Sequence, residues 1–255
     1  MPEYAKELPQ VKSVEGLEFY FIRLSQFKGV MADPRLRQAA NYAINKETLV
    51  KNLFQGYAAV APGQLLKPGY VGFDKELKPY QYDPEKAKAL LAEAGYSGQK
   101  IQLVAERGRW LKDTEIAEAV ADMLRAAGFN VQLTFLSFQE WLKVLFDQSL
   151  APDMQFSSHA NEIFDGDRTF TSCVKSDGPQ STYKNAGLDK IIDQARTELN
   201  AGTRQALYEK VAKTVYDDPA WIPLINVKDI YGLTARVVWE PRQDGRIILP
   251  EMALK

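Results

Sequence analysis

Two stretches of this chain place charged, amide and aromatic side chains where an open α/β sheet would present them. The first is Glu106-Arg107-Gly108-Arg109-Trp110, directly after a strand-like run at Lys100–Ala105. The second runs from Ser157 to Asp167 and follows a short strand-like run at Asp153–Ser157. It carries Ser158, His159, Asn161, Glu162, Phe164, Asp165 and Asp167. Open α/β sheets bind ligands beyond the carboxyl ends of their strands. These side chains, with Arg107, Arg109 and Trp110, are therefore the candidate ligand-binding set. Their chemistry suits a zwitterion, because a guanidinium pairs with a carboxylate and a carboxylate takes an ammonium. Both stretches are expected along one rim of the same sheet.

Other chemistries find less support. Cys173 and His159 share one region and could make a thiol nucleophile, but they are the chain's single cysteine and single histidine. That count excludes an intramolecular disulfide framework, a multi-cysteine metal site and a two-histidine metal motif. Asp165-Gly166-Asp167 could be a carboxylate pair or half a calcium loop, but the glycine and glutamate spacing of an EF-hand is missing. Turn formation and helix capping account for the triplet equally well. The glycine-rich phosphate motifs and the GxSxG nucleophile elbow are absent.

The elements that must position these residues can be read from periodicity. Gly16–Leu24 is aromatic and β-branched and predicts a strand. Lys28–Met31 reads as a loop. Asp33-Pro34 and Asp83-Pro84 each pair an N-cap with proline at the first helical position. The first helix carries an apolar stripe of Leu36, Ala39, Ala40, Ala43 and Ile44; the second of these proline-led helices runs to Ala94, with Gly95 as its C-cap. Asn45 caps a further helix through Leu49, Val50 and Leu53, and Ala58–Tyr82 is a long turn-rich loop. Strand Lys100–Ala105, helix Asp113–Ala127, strand Asn130–Leu136, helix Phe138–Asp147 and strand Asp153–Ser157 make a βαβαβ unit with a mostly parallel sheet. Ser158–Asn185 shows no clear period. Helices follow at Leu188–Leu199 and Thr203–Tyr216, then strand-like runs at Trp221–Val227 and Asp229–Leu233, and an irregular tail.

Composition bounds the rest. The chain has 255 residues, 45% apolar and 25% charged, enough for a sizeable core. Its formal net charge of −1 excludes a general basic field for nucleic acid. The apolar runs are too short to span a bilayer, and the polar N-terminus is not a signal peptide.

Asp33-Pro34-Arg35-Leu36-Arg37-Gln38-Ala39-Ala40-Asn41-Tyr42-Ala43-Ile44-Asn45-Lys46 resembles the signature of the family 5 extracellular solute-binding proteins, the dipeptide, oligopeptide and nickel receptors of ABC importers. Tyr82-Asp83-Pro84-Glu85-Lys86-Ala87-Lys88-Ala89-Leu90-Leu91-Ala92-Glu93-Ala94-Gly95-Tyr96 resembles a second block of that family. Glu115–Gly128, Trp141, Ser181-x-Tyr183-x-Asn185 and Pro223-Leu224 match more loosely. The resemblance implies a type II periplasmic-binding-protein-like lobe of α/β class. It implies residues 1–222 as the ligand-binding lobe II, and 223–255 as a hinge and return segment normally packed on a lobe I whose main body is absent. It also implies a non-catalytic receptor, periplasmic or extracytoplasmic, that takes a small peptide or similar solute and serves an ABC permease, with no cofactor and no metal. The family's Trp-x-x-Asp segment reads His159-Ala160-Asn161-Glu162 here, and Asp165 and Asp167 resemble the Asp-x-Asp of one subgroup. Alternative readings are an interaction or regulatory module that reuses the fold, or a small hydrolase using His159 and nearby carboxylates. Arg35 and Arg37 are expected to be structural. The tail, with Val237, Val238, Trp239, Ile247, Ile248 and Leu249, is expected either to be disordered or to be buried in a homodimer.

Overall fold

Strand β1 (Gln10–Leu24) carries two apolar faces because successive side chains of a strand point to opposite sides. Tyr20, Ile22 and Leu24 enter one hydrophobic core, and Leu17, Phe19 and Phe21 enter another. The computed structural model describes residues 9–27 and 29–255; the polar start of the chain and Lys28, expected in a loop, lie outside the described residues. The strand begins at Gln10 rather than Gly16, because its polar first half pairs with the end of another strand.

Helices α1 (Pro34–Ala43), α2 (Lys46–Phe54) and α3 (Pro84–Glu93) form as the capping residues predict. The Asp33 carboxylate accepts from the Arg35 N–H, Asn45 from Thr48 and Asp83 from Lys86. A side-chain cap satisfies an N–H that the helix itself leaves open. Within the long loop, strand β2 (Ala58–Val60) forms. The βαβαβ unit follows as β3 (Lys100–Glu106), α4 (Asp113–Ala126), β4 (Asn130–Leu136), α5 (Phe138–Phe146) and β5 (Met154–Ala160). The region without a clear period contains helix α6 (Gly166–Cys173), and α7 (Ala186–Thr197) and α8 (Ala201–Asp217) come next. The two expected runs after Ala220 are one strand, β6 (Trp221–Leu233).

The six strands lie in the order β2-β6-β1-β5-β3-β4. Strand β3 pairs in parallel with β4 and β5, as the βαβαβ reading requires. The rest of the sheet is antiparallel, since β1 runs against both β5 and β6, and β2 against β6. Parallel order therefore holds for the βαβαβ unit, and the sheet as a whole is mixed. Helices α1 to α5 cover the Tyr20 face, while α6 to α8 and the loop residues Leu65, Leu66, Tyr70 and Leu77 cover the other.

The expected division after Ile222 falls inside β6, an inner strand between β1 and β2 whose Leu224, Ile225 and Val227 belong to the first core. The tail is ordered on its own chain in part. Strands β7 (Val237–Val238) and β8 (Ala253–Leu254) pair with each other, and Trp239 is buried with its ring edge-on to Tyr231. Lys12 Nζ donates to the Trp239 carbonyl at 2.7 Å. Val238, Ile247, Leu249 and Leu254 remain exposed.

Candidate functional site

The turn between β3 and α4 is organised by one buried carboxylate. Asp113 accepts backbone N–H bonds from Gly108 at 3.2 Å, Arg109 at 2.8 Å, Trp110 at 2.9 Å and Thr114 at 2.6 Å. Gly108 makes this possible with a φ of 79°, in the left-handed region that glycine adopts freely. So held, the loop projects Arg109 outward and turns Trp110 inward. Trp110 stacks edge-on against Trp141 and Phe156, and its indole N–H donates to Glu18 Oε1 at 2.9 Å.

Ser158 arrives at the same atom from β5, donating from Oγ to Glu18 Oε1 at 2.6 Å. Arg109, Trp110 and Ser158 therefore converge on one rim, whereas the expectation had the whole Ser158–Asp167 stretch there. Glu18, which joins them, was not foreseen. It sits where the β1–β6 register slips between Glu15 and Phe19, and this bulge leaves main-chain carbonyls off the ladder. The buried Lys67 ammonium fills that gap, donating to the carbonyls of Gly16 and Glu18. Burial lowers its pKa to about 8.

Around Glu18 lies a cavity of about 340 Å³. Tyr20, Arg109, Trp110 and Leu111 form one side, and the β6 residues Val227 to Tyr231 the other. Asp229 enters it because Gly16 has no side chain: a Cβ there would lie 2.9 Å from Asp229 Oδ1. Burial raises the Asp229 pKa, and the Glu18 charge raises it further, against an opposing pull from Lys67. The Tyr20 hydroxyl is also pushed up, first by burial and then by Glu18. Arg109 makes no ion pair with any described residue; its guanidinium lies over the rings of Phe138, Trp110 and Trp141 at 4.7, 5.0 and 5.9 Å. Arg107 is exposed beyond β3, 3.9 Å over the Phe135 ring.

The remaining candidates are not gathered here. His159 belongs to β5 and points to the opposite face from Ser158, where it is buried against Phe19, with Nε2 3.0 Å from Thr169 Oγ1 and Nδ1 3.8 Å from Cys173 Sγ. Burial holds the imidazole down to about 4 and pushes the thiol up to about 11, so both are neutral at pH 7 and the pair is not poised as thiolate and imidazolium. Asn161 is fully buried and donates to the Asp165 carbonyl and to Thr169. Asp165 caps α6 and pairs with Arg204 at 2.8 Å, while Asp167 pairs with Arg196 at 2.9 Å. Phe164, with a φ of 56°, packs on Tyr70. Glu162 is exposed and lies 3.3 Å from Arg168. Among the described residues, no three His, Cys, Asp or Glu side chains gather as metal ligands, and no helix is long and apolar enough to cross a membrane.

The family model described as the bacterial extracellular solute-binding proteins, family 5, middle region, matches residues 2–181. The chain belongs to this family. It is 28% identical over 202 residues to di/tripeptide-binding protein 2 of Pseudomonas aeruginosa, a match covering 76% of this chain and 37% of that protein. It is 25% identical over 244 residues to heme-binding protein A of Haemophilus influenzae, covering 90% and 43%. Among solved structures, the periplasmic binding protein DppA of Helicobacter pylori in complex with the peptide STSA superposes with a TM-score of 0.85 at 23% identity. That match covers 99% of this chain and 50% of the other, and it shows the shared fold. The family 5 chain described here thus spans half or less of the length of these relatives.

Proposed function

We propose that this chain is a solute-binding part of a receptor that serves an ABC importer, taking a small peptide or similar zwitterionic solute at the rim formed by Arg109, Trp110 and Ser158. The observation that carries the reading is the convergence of the β3–α4 loop, strand β5 and the β1 bulge on Glu18 beside one cavity, with an unpaired guanidinium at its mouth. Arg109 is the anchor for the solute carboxylate, and its aromatic bed fixes the fork without neutralising it. Arg107 adds charge beside Arg109, and Glu162 is an exposed carboxylate on the loop that follows β5. His159, Asn161, Phe164, Asp165 and Asp167 serve by shaping that loop. The relatives are named as binding proteins, for di/tripeptides and heme among others, which favours a receptor over an enzyme. Work outside the cytoplasm and delivery to a permease belong to the same reading. So does pairing of two copies through the tail.

A solute held by one lobe leaves many of its polar groups in water, so affinity is weak. Calorimetry with trialanine should show saturable binding that R109A weakens about tenfold, with the peptide recovered intact. Absence of saturable binding, or cleavage of the peptide, overturns this reading.

A further inference from the structure

Glu18 and Asp229 share the cavity floor, and neither carboxylate makes an ion pair with a described residue. Glu18 Oε1 is used by Trp110 and Ser158, but Oε2 accepts from no described residue. Asp229 accepts no hydrogen bond and makes no ion pair among the described residues, although it is half-buried. The three nearby cations are engaged elsewhere. Lys67 donates to main-chain carbonyls, Lys228 faces Glu15 at 3.6 Å, and Arg109 lies over its aromatic bed. The Lys67 charge offsets their crowding only in part: burial and the Glu18 charge still raise Asp229, because two carboxylates confined together repel.

A second observation points the same way. Tyr20 is only 2% exposed, yet it lines the cavity. Its hydroxyl lies beside the Leu111 backbone, and no described residue accepts its proton. The floor therefore presents Glu18 Oε2, the Asp229 carboxylate and the Tyr20 hydroxyl, while Trp110, Tyr20 and Tyr231 supply aromatic walls. Ligand pockets run from about 300 to 1,000 Å³. A cavity of about 340 Å³ is at the small end and fits one side chain rather than a whole peptide.

We propose that the Glu18–Asp229 cavity is an acidic subsite that takes a basic side chain of the solute, its methylenes against the aromatic walls and its ammonium between the two carboxylates. This inference rests on the solute-binding reading and goes beyond it, since it specifies a solute with a positive charge additional to its terminal ammonium. A long amine suits such a site because its stem is apolar and only its tip is charged.

The test compares Ala-Lys-Ala with Ala-norleucine-Ala, which keeps the stem and removes the charge, by calorimetry at low and high salt. The lysine peptide should bind about tenfold tighter at low salt, and the preference should shrink at high salt. D229N, which leaves Glu18 and its bonds to Trp110 and Ser158 in place, should cut the preference several-fold while still binding the norleucine peptide. Equal affinity of the two peptides, or a preference that survives unchanged in D229N, overturns the acidic subsite and leaves solute binding intact. Failure of both peptides to bind overturns the solute-binding reading, and the subsite with it.

Discussion

Buried neutral His159 makes an acid-labile point in the second core. Its imidazole is held near 4, chiefly by burial and further by the Arg168 charge, against an opposing effect of Glu162. In the unfolded chain a histidine takes its proton near 6.5. Below that pH the unfolded state binds a proton that the folded state refuses, so stability falls as pH drops and levels off only below about 4. Urea denaturation at pH 7 and pH 4 should show the wild-type chain losing about 3 kcal/mol more than H159Q. Parallel losses in the two proteins would show that the imidazole is not excluded from protonation. The sequence placed His159 in a binding loop because the strand was read to end at Ser157; β5 runs on to Ala160, and its alternation turns His159 inward. Glu18 was hidden for a related reason. It lies inside a strand read for its apolar residues, and its companion Asp229 is about 200 residues away in the chain. Only the β1–β6 pairing brings them together, and no local pattern carries that information.

Among the elements, helix α1 shows why its arginines do different work. Arg35 is exposed, pairs with Asp33 and donates to the Glu93 carbonyl at 2.6 Å, tying α1 to the end of α3. Arg37 is buried and donates to the carbonyls of Met31, Ala32 and Pro219 and to the Asp218 carboxylate. It therefore fastens α1 to the turn between α8 and β6, on the way into an inner strand. Alanine at position 37 leaves those buried carbonyls without a donor and should cost about 3 kcal/mol. Thermal melting of R37A should fall by several degrees while tripeptide affinity in the folded protein changes little; a larger loss of affinity than of stability would place Arg37 at the solute. Helices such as α1 and α3 were legible because cap, proline and apolar stripe agree in each. Helix α6 was not, because Gly166–Cys173 is short, polar and capped by the same aspartate that suggested a loop. The length of β1 was obscured in the same way, since Gln10–Glu15 is a polar segment that becomes a strand only through pairing with β6.

For the whole molecule, the exposed apolar tail sets the behaviour at high concentration. Ile247, Leu249 and Leu254 are 57%, 73% and 71% exposed, on a segment anchored to the rest of the chain through Trp239 and the β7–β8 pair. Burying such side chains yields about 2 kcal/mol each, so three from each of two copies offer on the order of 12 kcal/mol. Association costs about 4–15 kcal/mol in lost freedom, which leaves a marginal balance and hence weak pairing. Sedimentation should therefore show mass rising with concentration, and I247E/L249E should return the chain to a monomer with unchanged melting temperature. Substitution is the sound probe here. Ending the chain near Ile222 would remove most of β6, an inner strand that pairs with both β1 and β2, and would unfold the sheet rather than free it of its tail. A wild-type chain that stays monomeric at every concentration would mean that these side chains are tolerated in water, and that pairing through the tail is not a property of this molecule.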